Sequence, residues 1–249
     1  MSKPIAIIGG SGLENPDILK YAESVNLATP YGPHSDITVG EIHGKSVVIL
    51  SRHGKSHSIP PSQVNNRANI TALKDLGCEK IIASTAVGSL REEIMPGDIV
   101  LPDQFIDFTR HRPVTFFESF PAGEMKHCPM ADPFDEPTRH QLMKLAESLS
   151  LKAHSKACIL TIEGPRFSTR AESHMFRTWG ADLINMSTAP EAILANEAGI
   201  PYTAVAMSTD YDSWRDNTEA VTWEAVLSVF QKNVHNVLSL LQEYIKQYG

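Results

Sequence analysis

Cysteine is scarce in this chain: Cys78, Cys128 and Cys158 are the only three among 249 residues, widely spaced and without a C-x-x-C pair. That excludes a disulfide framework and a cysteine-rich zinc site. Long apolar runs are also missing, since no stretch approaches the roughly 18 residues of a membrane span. The start, Met1-Ser2-Lys3-Pro4, leads into a short apolar run and Gly9-Gly10 and lacks the length and cleavage pattern of a signal peptide. A reduced, cytoplasmic setting is expected. Basic charge is in short supply, with 22 Lys and Arg against 29 Asp and Glu for a formal charge of −7. A polyanion binder needs a basic face, and no Lys/Arg run supplies one, so nucleic acid is excluded while a local anion site stays open. Repeats, low-complexity tracts and Ser/Gly linkers are absent.

What is present is a recurring short apolar run that stops at small or polar residues. The runs are Ile5–Ile8, Ser46–Leu50, Lys80–Ala83, Ile99–Leu101, Lys156–Leu160, Leu183–Ile184 and Thr203–Ala206. Several are apolar at consecutive positions, as strands covered on both faces are. Helical patterns lie between them. Pro60-Pro61-Ser62 opens one in which Val64, Ala68, Ala72, Leu73 and Leu76 share a face, and Gly77 closes it. Thr169 and Glu172 form a capping box ahead of Met175 and Phe176. Pro190 starts a helix that Gly199 ends, and Leu142, Leu145, Ala146 and Leu149 mark another. From Trp223 to Ile245 one long apolar stripe repeats at helical spacing. The stretch from about Asp103 to Glu136 has no clear period and reads as a long loop or insertion. The alternation predicts a single α/β domain, residues 1–249, with a central mixed, largely parallel β-sheet flanked by helices.

In open α/β sheets the ligand crevice lies beyond the carboxyl ends of the strands. Here those ends run into Gly9-Gly10-Ser11-Gly12, Arg52-His53-Gly54, Ser84-Thr85-Ala86, Asn185-Met186-Ser187-Thr188 and Met207-Ser208-Thr209-Asp210-Tyr211-Asp212. The glycine run suits a nest of backbone N–H groups for a phosphate, with the Ser11 hydroxyl as a further donor, or is a plain tight turn. It is neither G-x-G-x-x-G nor a P-loop. Arg52 brings a fixed fork of donors suited to an oxyanion, and His53 adds another hydrogen-bonding group; a solvated surface pair is the other reading. His53 and His57 stand four apart, as in zinc proteases, but Gly54 replaces the Glu that motif needs, and no metal site is expected. His111, between Arg110 and Arg112, and His127 are undecided on spacing. No G-x-S-x-G elbow is present. Asp210 and Asp212 share one side of an extended segment, where desolvation and mutual repulsion would raise one pKa and leave a proton donor near neutral pH. A turn or helix-cap carboxylate is the alternative.

Together these segments resemble the trimeric purine nucleoside phosphorylase superfamily, nearly end to end. The resemblance is carried by Ile7-Ile8-Gly9-Gly10-Ser11-Gly12-Leu13, Arg52-His53-Gly54, Val64-Asn65 and the block from Thr161 to Glu172. It continues through Thr178-Trp179-Gly180-Ala181-Asp182, Asn185-Met186-Ser187-Thr188-Ala189-Pro190-Glu191 and Ala206 to Trp214. It implies phosphorolysis, in which inorganic phosphate attacks C1′ of a purine nucleoside as the base leaves. By carry-over, Ser11, Arg52, His53, Thr85, Ala86 and Ser187 would hold phosphate. Phe167, Ile184 and Met186 would contact the nucleoside, Asp210 would protonate N7 and Asp212 would hold the 6-amino group. Sugar and base develop opposite charge as the bond breaks, and a fixed anion opposite a neutral acid suits both.

The 6-oxopurine members place Glu where this chain has Ser168 and Asn where it has Asp210, so adenine-type nucleosides are favoured. His57, His127, Val226 and Leu227 correspond to the family's apolar 5′-methylthio pocket, with His127 expected from a neighbouring subunit. Trp223 departs from that pattern, where a smaller aliphatic residue is usual, and narrows the 5′ slot. The resemblance thus implies cleavage of 5′-methylthioadenosine to adenine and 5-methylthioribose 1-phosphate by a homotrimer, or a hexamer of paired trimers. No cofactor is expected beyond phosphate as co-substrate, and no nucleic-acid or membrane partner. The competing readings are a phosphorylase of adenosine, inosine or methylthioinosine, and a nucleoside-binding protein without chemistry.

Overall fold

The strand Lys80–Ser89 (β5) organises the sheet. One of its edges pairs in parallel with Tyr202–Asp210 (β11). The other edge pairs in parallel with Ile5–Gly9 (β1) over Lys80 to Ala83, then antiparallel with Leu183–Asn185 (β10) at Gly88 and Ser89. Among the described residues, strand pairing on that edge lapses from Ser84 to Val87. Backbone groups there need other partners, and the lapse falls where the sheet changes direction of growth. The structure is a computed structural model and describes residues 3–10, 18–215 and 222–249.

From β1 the sheet continues through Lys45–Ser51 (β4), Asp36–Ile42 (β3) and Lys20–Val25 (β2). From β10 it continues through Cys158–Ile162 (β9) to Gln104–Phe108 (β7). Ile99–Val100 (β6) lies on β11 and pairs with Ala153–His154 (β8). Antiparallel pairs join β2 to β3, β3 to β4, β5 to β10 and β6 to β11; the remaining pairs are parallel. The expected mixed, largely parallel sheet is what forms.

Side chains alternate across a strand, so consecutive apolar residues require a cover on each face. Ala6, Ile8, Val48 and Leu50 pack under Asn66–Asp75 (α1) and Thr188–Ala198 (α4), which bring Ile70, Leu73, Leu194 and Ala195. Ile5, Ile7, Val47 and Ile49 pack under Glu136–Ser148 (α2) and Trp223–Tyr248 (α5), which bring Leu142, Leu145, Phe230, Val237 and Leu241. Each such buried aliphatic side chain stabilises the fold by about 1.5–3 kcal/mol. Arg170–Thr178 (α3) covers a third cluster with Phe176, Leu160 and Ile184.

Helix starts follow their caps. Asn65 accepts from the Ala68 amide, Asp135 from Thr138, and Thr169 with Glu172 makes the expected capping box. Pro60-Pro61-Ser62 opens a single 3₁₀ turn, and α1 begins only at Asn66. α4 starts at Thr188, not Pro190; a proline in the first turn costs nothing because the amide there has no intrahelical acceptor. Four strands have no apolar run to announce them: β2 is exposed at the sheet edge, β3 mixes polar and half-buried positions, β7 lies inside the stretch expected to be irregular, and β8 is only two residues long. After Phe108 that stretch does run without helix or strand to Asp135. Arg112 pins it, its buried guanidinium donating to the backbone carbonyls of Ile162, Glu163 and Met186. No described helix is long and apolar enough to cross a membrane.

Candidate active site

The lapse along β5 opens into a cavity of about 440 Å³. Its lining includes Gly10, Arg52, His53, Thr85, Ala86 and Ser187 at one end and Phe167, Ile184, Met186, Asp210 and Asp212 at the other. His57 and Val226 also line it. Residues as far apart in sequence as Arg52 and Asp210 therefore share one cleft. Strand ends deliver them: Arg52 follows β4, Thr85 and Ala86 lie in β5, Ser187 follows β10, and Asp210 closes β11.

Arg52 is buried, 2% exposed. Its amide donates to the Gly9 carbonyl at 3.0 Å, tying the end of β4 to the end of β1. Its Nη1 donates to the Ser84 carbonyl at 3.0 Å, and the Gly10 amide to the Ser84 hydroxyl at 3.1 Å. A Cβ on Gly10 would lie 2.7 Å from Nη1 of Arg52, so only glycine admits the guanidinium here. His53 Nδ1 lies 2.8 Å from the Ile59 carbonyl oxygen, which can only accept, so Nδ1 carries the proton. Burial and the neighbouring Arg52 charge push the imidazole pKa down to about 4, leaving the ring neutral near pH 7.

Beside the guanidinium sits a knot of small polar groups. The Asn185 amide lies 3.0 Å from the Thr85 hydroxyl, 3.3 Å from Ser187 and 2.6 Å from Thr188, while its oxygen accepts from Thr161 at 2.8 Å. Thr85 and Ser187 hydroxyls approach to 3.3 Å. With Arg52, these hydroxyls make the donor-rich wall an oxyanion needs.

At the opposite end the Asp210 carboxyl is half-buried. Its Oδ1 lies 2.7 Å from the Thr209 hydroxyl, and its Oδ2 accepts from the Asp212 amide at 2.9 Å. Surrounding protein raises its pKa from 3.8 to about 6, against the lowering pull of those two donors. Burial raises Asp212 as well, opposed by the Ser173 hydroxyl, the Ser213 amide and the Ser168 hydroxyl. Among the described residues, Asp212 Oδ2 and the Ser168 and Ser173 hydroxyls are buried without a well-formed hydrogen bond. Asp212 and Ser168 line the cavity, where such atoms would meet a polar ligand edge. A Cβ on Gly88 would lie 3.0 Å from Ile184 and 3.1 Å from Asp210 Oδ2, so a bare backbone lets this wall close.

Not every expected residue is here. Leu227 does not line the cavity: it follows Val226 by roughly 100° around α5, so one of the two faces inward and it is Val226. His127 is exposed, its ring edge-on to Phe120 at 6.2 Å, and it lies outside this chain's own cavity lining. His111 is exposed too and lines a separate, smaller cleft of about 220 Å³. Ser11 and the side chain of Trp223 lie outside the described residues. Gly88, Thr209 and Asn185 carry no site role in the sequence reading; Thr209 and Asn185 stand inside matching blocks, but the bonds that tie Asn185 to Thr85 and Thr161 cross the sheet and leave no local signal.

A family model described as "Phosphorylase superfamily" matches residues 4–246. An S-methyl-5′-thioadenosine phosphorylase of Drosophila melanogaster is 54% identical over 241 residues, covering 95% of this chain and 83% of that one. A solved methylthioadenosine phosphorylase of Schistosoma mansoni, in complex with adenine, superposes with a TM-score of 0.92 at 41% identity, covering 98% of this chain and 91% of that one. A mutant of the adenosine/methylthioadenosine phosphorylase of the same organism, in complex with methylthioadenosine, gives 0.89 at 40% identity, covering 98% and 91%.

Proposed function

The chain belongs to the phosphorylase superfamily, in its S-methyl-5′-thioadenosine phosphorylase family, and from that premise we propose that it cleaves 5′-methylthioadenosine with inorganic phosphate. The products are adenine and 5-methylthioribose 1-phosphate. One observation carries the reading: a single cavity places the Arg52 and hydroxyl wall at one end and a carboxyl with a raised pKa at the other. A bond forms between a phosphate oxygen and C1′ while the bond from C1′ to N9 breaks. The electron pair goes to the purine, and the Asp210 proton goes to N7.

Each end of the cavity answers one demand of that step. Arg52, Thr85, Ser187 and the Ala86 backbone hold the phosphate, with neutral His53 beside them. Phe167 packs on the base, Ile184 and Met186 lie along the nucleoside, and Asp212 accepts from the 6-amino group. As the bond stretches, positive charge on the sugar faces the phosphate and negative charge on the base faces the acid, so both are stabilised. His57 and Val226 border the 5′ end, where about 0.8 kcal/mol per buried methylene-sized group favours methylthio over hydroxyl. Phosphate is the co-substrate, and no cofactor enters the reaction. The working unit is a homotrimer in which the exposed 118–127 stretch carries His127 to a neighbouring site.

Adenosine is the second substrate to consider, because a solved relative bears the name adenosine/methylthioadenosine phosphorylase. Steady-state rates with phosphate on methylthioadenosine, adenosine, methylthioinosine and inosine test the assignment. The expected order puts methylthioadenosine first and the two 6-oxopurines last. Faster inosine cleavage overturns it, and no release of adenine at all makes the protein a binder.

A further inference from the structure

Glu191 has no part in the steps above, yet it is one of the most deeply placed charges in the protein, at 2% exposure. Both of its carboxylate oxygens are taken by Arg52: Nε donates to Oε1, and Nη2 donates to Oε2 at 3.0 Å. The Tyr202 hydroxyl donates to the same Oε2 at 2.8 Å. Tyr202 is itself buried, and burial together with the Glu191 charge raises its pKa, so its proton stays in place as a donor.

We propose that Glu191, steadied by Tyr202, is the positioning residue of the phosphate site, setting the plane and reach of the Arg52 guanidinium. A bidentate pair fixes both the plane and the roll of the fork, which a single contact does not. With Nη1 on the Ser84 carbonyl and Gly10 packed beneath, three sides of the guanidinium are constrained. Arginine carries large rotamer freedom, and fixing it before the anion arrives removes an ordering cost from binding. Two charges this deep are poor value as stability alone, since an apolar pair of the same shape does as well.

The placement of Glu191 also couples the site's parts. It lies near the start of α4, where the helix dipole favours a carboxylate, four positions after Ser187. Tyr202 opens β11, the strand that ends in Asp210. Arg52, the Ser187 hydroxyl and the acid strand are therefore referenced to one buried group.

This inference rests on the phosphate reading, and the experiment separates the two. Glu191→Gln keeps the shape but exchanges one acceptor for a donor facing Arg52. The variant is expected to raise the KM for phosphate about tenfold or more while the KM for nucleoside stays within about twofold. The increase in Tm that inorganic phosphate gives the wild type should shrink in parallel. Tyr202→Phe should move the phosphate KM the same way by about threefold, and it carries the test if Glu191→Gln does not fold. A lowered Tm with wild-type phosphate KM in the folded variants assigns the pair to stability alone and overturns the proposal. Wild-type protein with neither phosphate-dependent cleavage nor a phosphate-induced rise in Tm refutes the phosphate reading itself, and the inference falls with it.

Discussion

Asp210 supplies the sharpest test of the proposed chemistry. Its carboxyl pKa is raised from 3.8 to about 6 by the protein packed around it. At pH 7 that lifts the protonated fraction from less than about 0.1% to roughly 9%, a gain on the order of 100-fold in available acid. At saturating phosphate, kcat/KM for the nucleoside should therefore fall as pH rises through about 6, because this ratio reports the form of the enzyme before the nucleoside binds. Asp210→Asn should remove that limb and depress kcat by about 10²–10⁴-fold, the usual worth of a positioned acid. A 7-deaza analogue of the substrate offers carbon where the proton should go, and its turnover should be lost in the wild type. The assay is adenine release from pH 5 to 8.5 for both proteins. A profile flat across pH 6, or an Asp210→Asn enzyme within tenfold of wild type, would refute the assignment of Asp210 as the acid.

Two further outcomes follow from the other end of the cavity. Gly10→Ala puts a methyl 2.7 Å from the Arg52 guanidinium and 3.1 Å from the Ser84 carbonyl. It should raise the KM for phosphate several-fold and cost about 1–3 kcal/mol of stability, and unchanged phosphate saturation would show that Arg52 is not held there. His53 has its pKa lowered from 6.5 to about 4, so the unfolded chain takes up a proton that the folded one refuses. Its contribution to stability is complete above pH 6.5 and is lost as pH falls toward 4. Urea unfolding at pH 7 and pH 4.5 should show a smaller acid loss in His53→Asn than in wild type, and equal losses would contradict the lowered pKa.

The sheet was legible because its strands are buried on both faces, and consecutive apolar residues such as Ile5–Ile8 record that directly. Strand ends were harder to read. Ser84-Thr85-Ala86 and Ser208-Thr209-Asp210 looked like residues after strands, whereas they lie inside β5 and β11. Thr85, Thr209 and Asp210 line the cavity, and a strand wall that must hydrogen-bond a ligand cannot stay apolar. β2 left little trace because its side chains are largely exposed at the sheet edge. Arg52 and Asp210 could be named from sequence as ligand-facing chemistry, and the structure brings both to one cavity. Glu191 could not be given a role, because its partner is 139 residues away and nothing near it in the chain announces a buried pair.

The interruption in pairing along β5 has a metric consequence. Thr85 sits at the anion end and Gly88 beside the acid, three residues apart on one extended strand. At about 3.3 Å per residue they stand about 10 Å apart. Attacking oxygen and departing base are thus gauged against a single rigid ruler, and an inserted residue between Ala83 and Gly88 would lengthen that ruler and turn the side chains beyond it to the other face of the sheet, misaligning the two halves of the reaction.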